Sequence, residues 1–104
     1  MITLRLNDEL MSYVVKQDAE FSGGEQTLIK FPNGYGASIV RNEYSYGGRH
    51  GQFELAVILW NDTDFDLDYN TPITDDVIGR LDNSEIPVIL YEIMALQTAT
   101  PGQG

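Results

Sequence analysis

The sequence contains no cysteine and a single histidine, His50. Without cysteine there is no disulfide framework, thiolate nucleophile, iron–sulfur cluster or Cys-based zinc site. One histidine leaves no multi-histidine metal site. Positive charge is almost as scarce: six Lys and Arg stand against 16 Asp and Glu, for a net charge of −10. Nucleic acid and anionic lipid are held by clustered Lys and Arg, so neither is expected as a direct partner. No stretch approaches the roughly 18 apolar residues of a membrane span. Met1–Glu9 has neither the basic start nor the apolar run of a signal peptide.

What is present points to one folded domain. The 104 residues suit a single domain over 1–97, with a Thr/Pro/Gly-rich tail at 98–104 expected to be disordered. Aromatic residues make up 11% of the chain, which argues against an acidic disordered segment. The charge is lopsided. Residues 53–104 carry Glu54, Asp62, Asp64, Asp66, Asp68, Asp75, Asp76, Asp82, Glu85 and Glu92 against Arg80 alone. A basic protein partner fits such a half, and so does plain solubility, since like-charged proteins stay apart.

The middle of the chain reads as β-structure. Ile2–Leu6 alternates and suggests a short strand. Asn7 offers a helix cap, while Tyr13-Val14-Val15 prefers a strand, so 7–16 is open. Gln26–Phe31 reads as a strand. Pro32-Asn33-Gly34 supplies hairpin chemistry, proline presetting φ and Asn-Gly tolerating positive φ. Gly36–Tyr44 returns, Gly47–Gly51 turns, and Gln52–Trp60 is a nearly continuous apolar strand, as expected of one covered on both faces. Asp64–Asp68 is a further strand. In the last third Thr74 looks like an N-cap with Asp75 and Asp76 in the first turn and Val77, Ile78 and Leu81 facing the core, weakened by Gly79. Ser84 is a second cap candidate, with Pro87 tolerated in the first turn. Ile86, Ile89, Leu90, Ile93 and Leu96 form one helical stripe, and Val88, Tyr91, Met94 and Ala95 make the other side apolar as well. A helix apolar nearly all round is expected to be buried on both sides, which nominates the second set as a homo-oligomer interface. The expected fold is α+β: an antiparallel β-meander of three to five strands with one or two C-terminal helices packed on it.

The most distinctive local feature is Asp62-Thr-Asp64-Phe-Asp66-Leu-Asp68-Tyr. Asp64, Asp66, Asp68 and Asp75 have the first, third, fifth and twelfth places of a calcium loop, but Tyr69 stands where the turn glycine belongs and Asp75 where a bidentate Glu belongs. Period-two alternation explains the segment better: Phe65, Leu67 and Tyr69 inward, carboxylates outward on an edge strand that resists aggregation. Mimicry of nucleic acid is a third reading. Carboxylates about 6–7 Å apart along one strand are some fourfold sparser than the charges of duplex DNA, at about one per 1.7 Å, so other acids or a second subunit would have to contribute. Tyr35, Tyr44 and Tyr46 sit near hairpin ends, where amphipathic rings suit interfaces. His50 lies in a Gly-rich turn with no nucleophile pattern around it. Gly34-Tyr35-Gly36 and Gly47-Gly48 lack phosphate-loop spacing. A Glu43–Glu54 cross-strand carboxylate pair cannot be placed by sequence. No metal and no cofactor is expected.

Phe31-Pro-Asn-Gly-Tyr-Gly-Ala-Ser-Ile-Val40, Tyr46-Gly47, Glu54-Leu-Ala-Val57 and Asp68–Gly79 together resemble small uncharacterised acidic proteins of tailed bacteriophages, over about residues 31–96. The resemblance carries no activity. It implies a phage protein made in the host bacterial cytoplasm, and such proteins as a class often bind and disable host machinery. The function expected is therefore a non-enzymatic accessory protein that binds a basic or nucleic-acid-binding host or phage protein. Its contacts would be Asp62, Asp64, Asp66 and Asp68, with Tyr35, Tyr44 and Tyr46. The alternative is an assembly protein that self-associates, or joins the virion, through Val88, Tyr91, Met94 and Ala95.

Overall fold

A computed structural model describes residues 1–74 and 76–97; Asp75 and the 98–104 tail lie outside the described residues. Six antiparallel strands form one sheet: β1 (Val14–Asp18), β2 (Glu25–Lys30), β3 (Tyr35–Arg41), β4 (Phe53–Asn61), β5 (Asp64–Leu67) and β6 (Ile78–Leu81). β1 to β5 follow one another as a meander, and β6 pairs with the start of β4 while β5 pairs with its end. Two helices, α1 (Asp8–Met11) and α2 (Ile86–Met94), complete an α+β fold.

The β2–β3 hairpin forms as its turn residues dictate. Gly34 takes φ +91°, and the Phe31 amide donates to Tyr35 O at 2.8 Å across the three-residue loop. Asn33 does more than turn the chain. Its Oδ1 accepts from the Tyr35 amide at 2.9 Å, while its Nδ2 donates to the carbonyls of Ile93, Met94 and Leu96 at 2.9, 3.2 and 3.1 Å. Carbonyls at a helix C-terminus run short of intrahelical donors; of these three Ile93 O also accepts from Leu96 N at 3.1 Å, and a buried hairpin asparagine caps α2. Cross-strand residues share a face, and Ile29, Phe31, Ala37, Ile39, Phe53, Leu55, Val57 and Leu81 make one with Leu4, Leu10, Ile86, Leu90 and Ile93 packed on it.

Glu25 occupies the end of that face, directly opposite Arg41, and is 1% exposed. Its carboxylate accepts from the amides of Thr3 and Leu4 at 2.9 and 3.0 Å and from Thr3 Oγ1 at 2.7 Å, and pairs with Arg41 at 3.1 Å. Desolvation alone would raise its pKa. The Thr3 hydroxyl, the two amides and Arg41 outweigh that and hold it below the ordinary 4.5.

Three expectations give way to the structure, and the open 7–16 segment is settled. Ile2–Leu6 is not a strand: Leu4 turns inward, but the backbone is satisfied by side chains, Glu25 on one side and Asn83 on the other, through Arg5 N and Thr3 O. The 7–16 segment holds both of its alternatives, Asn7 capping α1 through Leu10 N at 2.8 Å before β1 begins. The helix expected from Thr74 is the strand β6. Thr74 Oγ1 accepts from Asp76 N within a local turn, and β-branched Ile78 pairs with Leu55. β3 stops at Arg41 because Asn42 ties a turn with Tyr44 and Ser45 through their amides.

α2 is also narrower in its burial than its composition implies. Ile86, Leu90 and Ile93 are buried, whereas Val88 is 60% and Tyr91 38% exposed, so the helix is covered on one side only. Its cap residue is Glu85 in place of Ser84, without a side-chain capping bond.

Candidate functional site

The sheet has a second face, and β4 is covered there as well over its middle, at Ala56 and Ile58, while Glu54 and Trp60 are half-buried. Leu28, Ala56 and Ile58 are buried but stand outside the helix-packed core, shut off by the side chains around them. On the same face Phe65 pairs with Trp60 and Leu67 with Ile58. This overturns the inward assignment of β5's apolar residues. Phe65 is half-buried against Trp60, ring centroids 5.0 Å apart, but Leu67 is 52% and Tyr69 37% exposed.

Between β1 and the β4–β5 turn this face holds a groove of about 320 Å³, lined among others by Val15, Leu28, Lys30, Trp60 and Phe65. Its floor depends on Gly36. The Trp60 indole lies across that position and donates from Nε1 to Ile29 O at 2.8 Å; a Cβ on Gly36 would meet Nε1 at 2.6 Å. Lys30 Nζ lies 5.5 Å from the Trp60 ring centroid and donates to Asp62 O at 2.8 Å, closing one side. A bulge between Val14 and Lys16 marks the opposite rim, where Val15 is 56% exposed.

The acidic edge borders this groove through Asp62, while Asp64 and Asp66 alternate to the helix-packed side of the sheet. β5 ends the meander and pairs only with β4, as expected of the aspartate-rich strand. The four aspartates do not form one straight row. Asp62 sits in the β4–β5 turn at φ +59°, Asp64 and Asp66 lie opposite Asn61 and Leu59, and Asp68 follows the strand, half-buried, with Oδ1 accepting from Asn70 N at 2.8 Å. Asp62, Asp64 and Asp66 are exposed. Among the described residues no group of three or more His, Asp or Glu could hold a metal, and the Asp75 position of the calcium spacing lies outside them.

The three tyrosines separate. Half-buried Tyr35 lies opposite Leu59, which lies opposite Asp66, so it shares the acidic end of the sheet. Tyr44 and Tyr46, 80% and 63% exposed, stand in the β3–β4 loop at the other end of β4, about 23 Å away at some 3.3 Å per residue. Glu43 stands in that loop too, while Glu54 lies opposite Val40 and accepts from Tyr46 N at 3.3 Å, so the two do not face each other across a ladder. On α2 the proposed oligomer set is partly occupied within the chain. Met94 packs against the core, and Tyr91 Oη donates to Glu9 at 2.7 Å while accepting from Asn7 Nδ2 at 2.9 Å. The Asn7 contact favours the phenolate, but the hydrogen bond to Glu9, partial desolvation and the Glu9 charge prevail, and the hydroxyl titrates above 10.0. Val88 and Ala95 are left as outward residues.

The groove was not legible in the sequence. Val15, Leu28, Trp60 and Phe65 come from four strands, β1, β2, β4 and β5, and only the register puts them on one face. No protein-family model, curated protein or solved structure matches the chain. No helix among the described residues is long and apolar enough to cross a membrane.

Proposed function

We propose that this is a non-enzymatic binding protein that docks a basic protein surface on the β5 edge and the apolar face beside it. The observation that carries the reading is the juxtaposition of three exposed carboxylates, Asp62, Asp64 and Asp66, with the exposed Leu67 on the same edge. Protein interfaces combine an apolar centre with a polar rim, and a charged rim steers the partner in. A partner with Lys or Arg around an apolar anchor matches both parts. Tyr35 packs against the core on the helix-covered side, away from the groove, and Tyr44 and Tyr46 lie at the other end of the sheet. The resemblance to acidic phage proteins supports a bacterial host as the setting and a host or phage protein as the partner. Self-association through α2 is the weaker reading, because Tyr91 and Met94 already serve the chain's own packing.

The test is retention of partners by immobilised protein at about 0.1 M and about 0.5 M salt, where the screening length falls from ~10 Å to well below it. Wild type is compared with a variant carrying Asn at 62, 64, 66 and 68. A basic protein held at low salt, released at high salt and lost by the variant is the expected result. Equal retention by the variant refutes the acidic-edge reading.

A further inference from the structure

At the far end of β4 the structure gathers the opposite charge. Arg49, His50 and Arg80 line one recess of about 210 Å³ between the β3–β4 loop and β6. This chain has six Lys and Arg in all. Arg41 is committed to Glu25, and Lys30 to Trp60 and Asp62. Among the described residues neither Arg49 nor Arg80 forms an ion pair. Glu43 is the one carboxylate on the lining.

The backbone of this recess is fixed at unusual positions. Between the pairs Phe53–Leu81 and Leu55–Ile78, one residue of β4 opposes two of β6, Gly79 and Arg80. Such a bulge re-aims a side chain, and here Arg80 adopts φ +58°, a left-handed conformation that disfavours any residue but glycine. Its neighbours hold it there. Arg80 N donates to Tyr46 O at 3.1 Å, Gly47 lies so close that a Cβ would come within 2.9 Å of Arg80 Cα, and Gly79 passes Tyr46 with no room for a side chain. The loop is braced in turn, Gly47 O accepting from both His50 N and Gln52 N at 3.0 Å. A non-glycine residue held in a strained conformation by everything around it is the pattern found where geometry serves a ligand.

We propose that this recess binds a phosphate group carried by a small ligand. Two guanidinium groups match the charge of a phosphate dianion and present planar forks that donate to two oxygens at once. A lone carboxylate needs only one of them. His50 adds a third donor from the same loop, and exposed Tyr46 lines the recess beside it. The site is independent of the acidic edge, which lies at the other end of the sheet.

The experiment is an amide NMR titration with inorganic phosphate at constant ionic strength, with acetate as the monoanion control. Saturable shifts confined to residues 43–51 and 78–81, stronger for phosphate than for acetate, are expected. Arg49→Gln, at an exposed loop position, should weaken binding about tenfold or more. Glu43→Gln should strengthen it severalfold. Arg80→Gly separates function from folding: it relieves the left-handed strain, so the melting temperature should hold or rise while phosphate affinity falls as for Arg49→Gln. Non-saturating or dispersed shifts, equal response to acetate, or unchanged affinity in the arginine variants would each overturn the assignment.

Discussion

Replacing Asn33 by alanine is expected to destabilise the fold by about 2–4 kcal/mol, since a buried acceptor stripped of its donor costs about 1–3 kcal/mol and three carbonyls share this amide. The Tyr35 amide loses its partner in the same change. Urea unfolding followed by circular dichroism measures the effect, and a loss under about 0.5 kcal/mol, the range of ordinary surface changes, would show that the cap is dispensable. Asn33→Asp sharpens the test. It keeps the shape and the contact to Tyr35 N but sets a negative charge against the negative end of α2, so it should be worse than alanine at pH 7. The folded state then favours the protonated acid. The deficit of Asn33→Asp should therefore shrink as the pH falls through the range in which that acid takes up its proton.

The second large effect is expected at Glu25. Glu25→Ala strands the Thr3 and Leu4 amides and leaves Arg41 beside a buried gap. Removing one partner of a buried ion pair typically costs about 3–5 kcal/mol. In a domain of this size each kcal/mol lowers the melting temperature by about 4–8 °C, so calorimetry should show a fall of at least ~12 °C; a drop of only a few degrees would contradict the anchoring role. The pH dependence has a definite sign. The carboxyl titrates lower in the folded protein than the 4.5 of an ordinary Glu, so the unfolded chain binds the extra proton. The stabilisation is complete above pH ~4.5 and is lost as the pH falls through the depressed folded value. Glu25→Gln should flatten that acid limb relative to wild type, and parallel limbs would mean that Glu25 is not the group responsible.

Much of the meander could be read from the chain because its signals are local. Pro32-Asn33-Gly34 carries its own turn, and the apolar runs on either side define β2, β3 and β4 without outside help. β5 was recognisable as an edge from its alternating aspartates. Long-range contacts were invisible. Nothing near Asn33 announces that its amide will cap a helix 60 residues away, and nothing near Thr3 announces Glu25. β6 was misread because Val77, Ile78 and Leu81 satisfy a helical stripe, with Thr74 posing as its cap. The partner that decides the matter is Leu55, which the local pattern does not contain. The apolar spacing of β5 was right, but which face would be covered depended on where α2 came to rest. The proposed phosphate recess needed Arg80 beside Arg49, distant in the sequence, and a bulge that no periodicity reveals.

Trp60 is the sole tryptophan, and the fold has set it on the groove wall beneath Lys30, in van der Waals range of whatever occupies that face. The protein thus carries its one indole at one end of the sheet and only tyrosines, Tyr44 and Tyr46, at the other, and red-edge excitation selects the indole. Cover over the acidic edge and groove excludes water from the indole and shifts its emission, while a ligand beside Arg80, about 23 Å away along β4, leaves the colour unchanged. A single cuvette can therefore distinguish which end of the molecule a given compound has found.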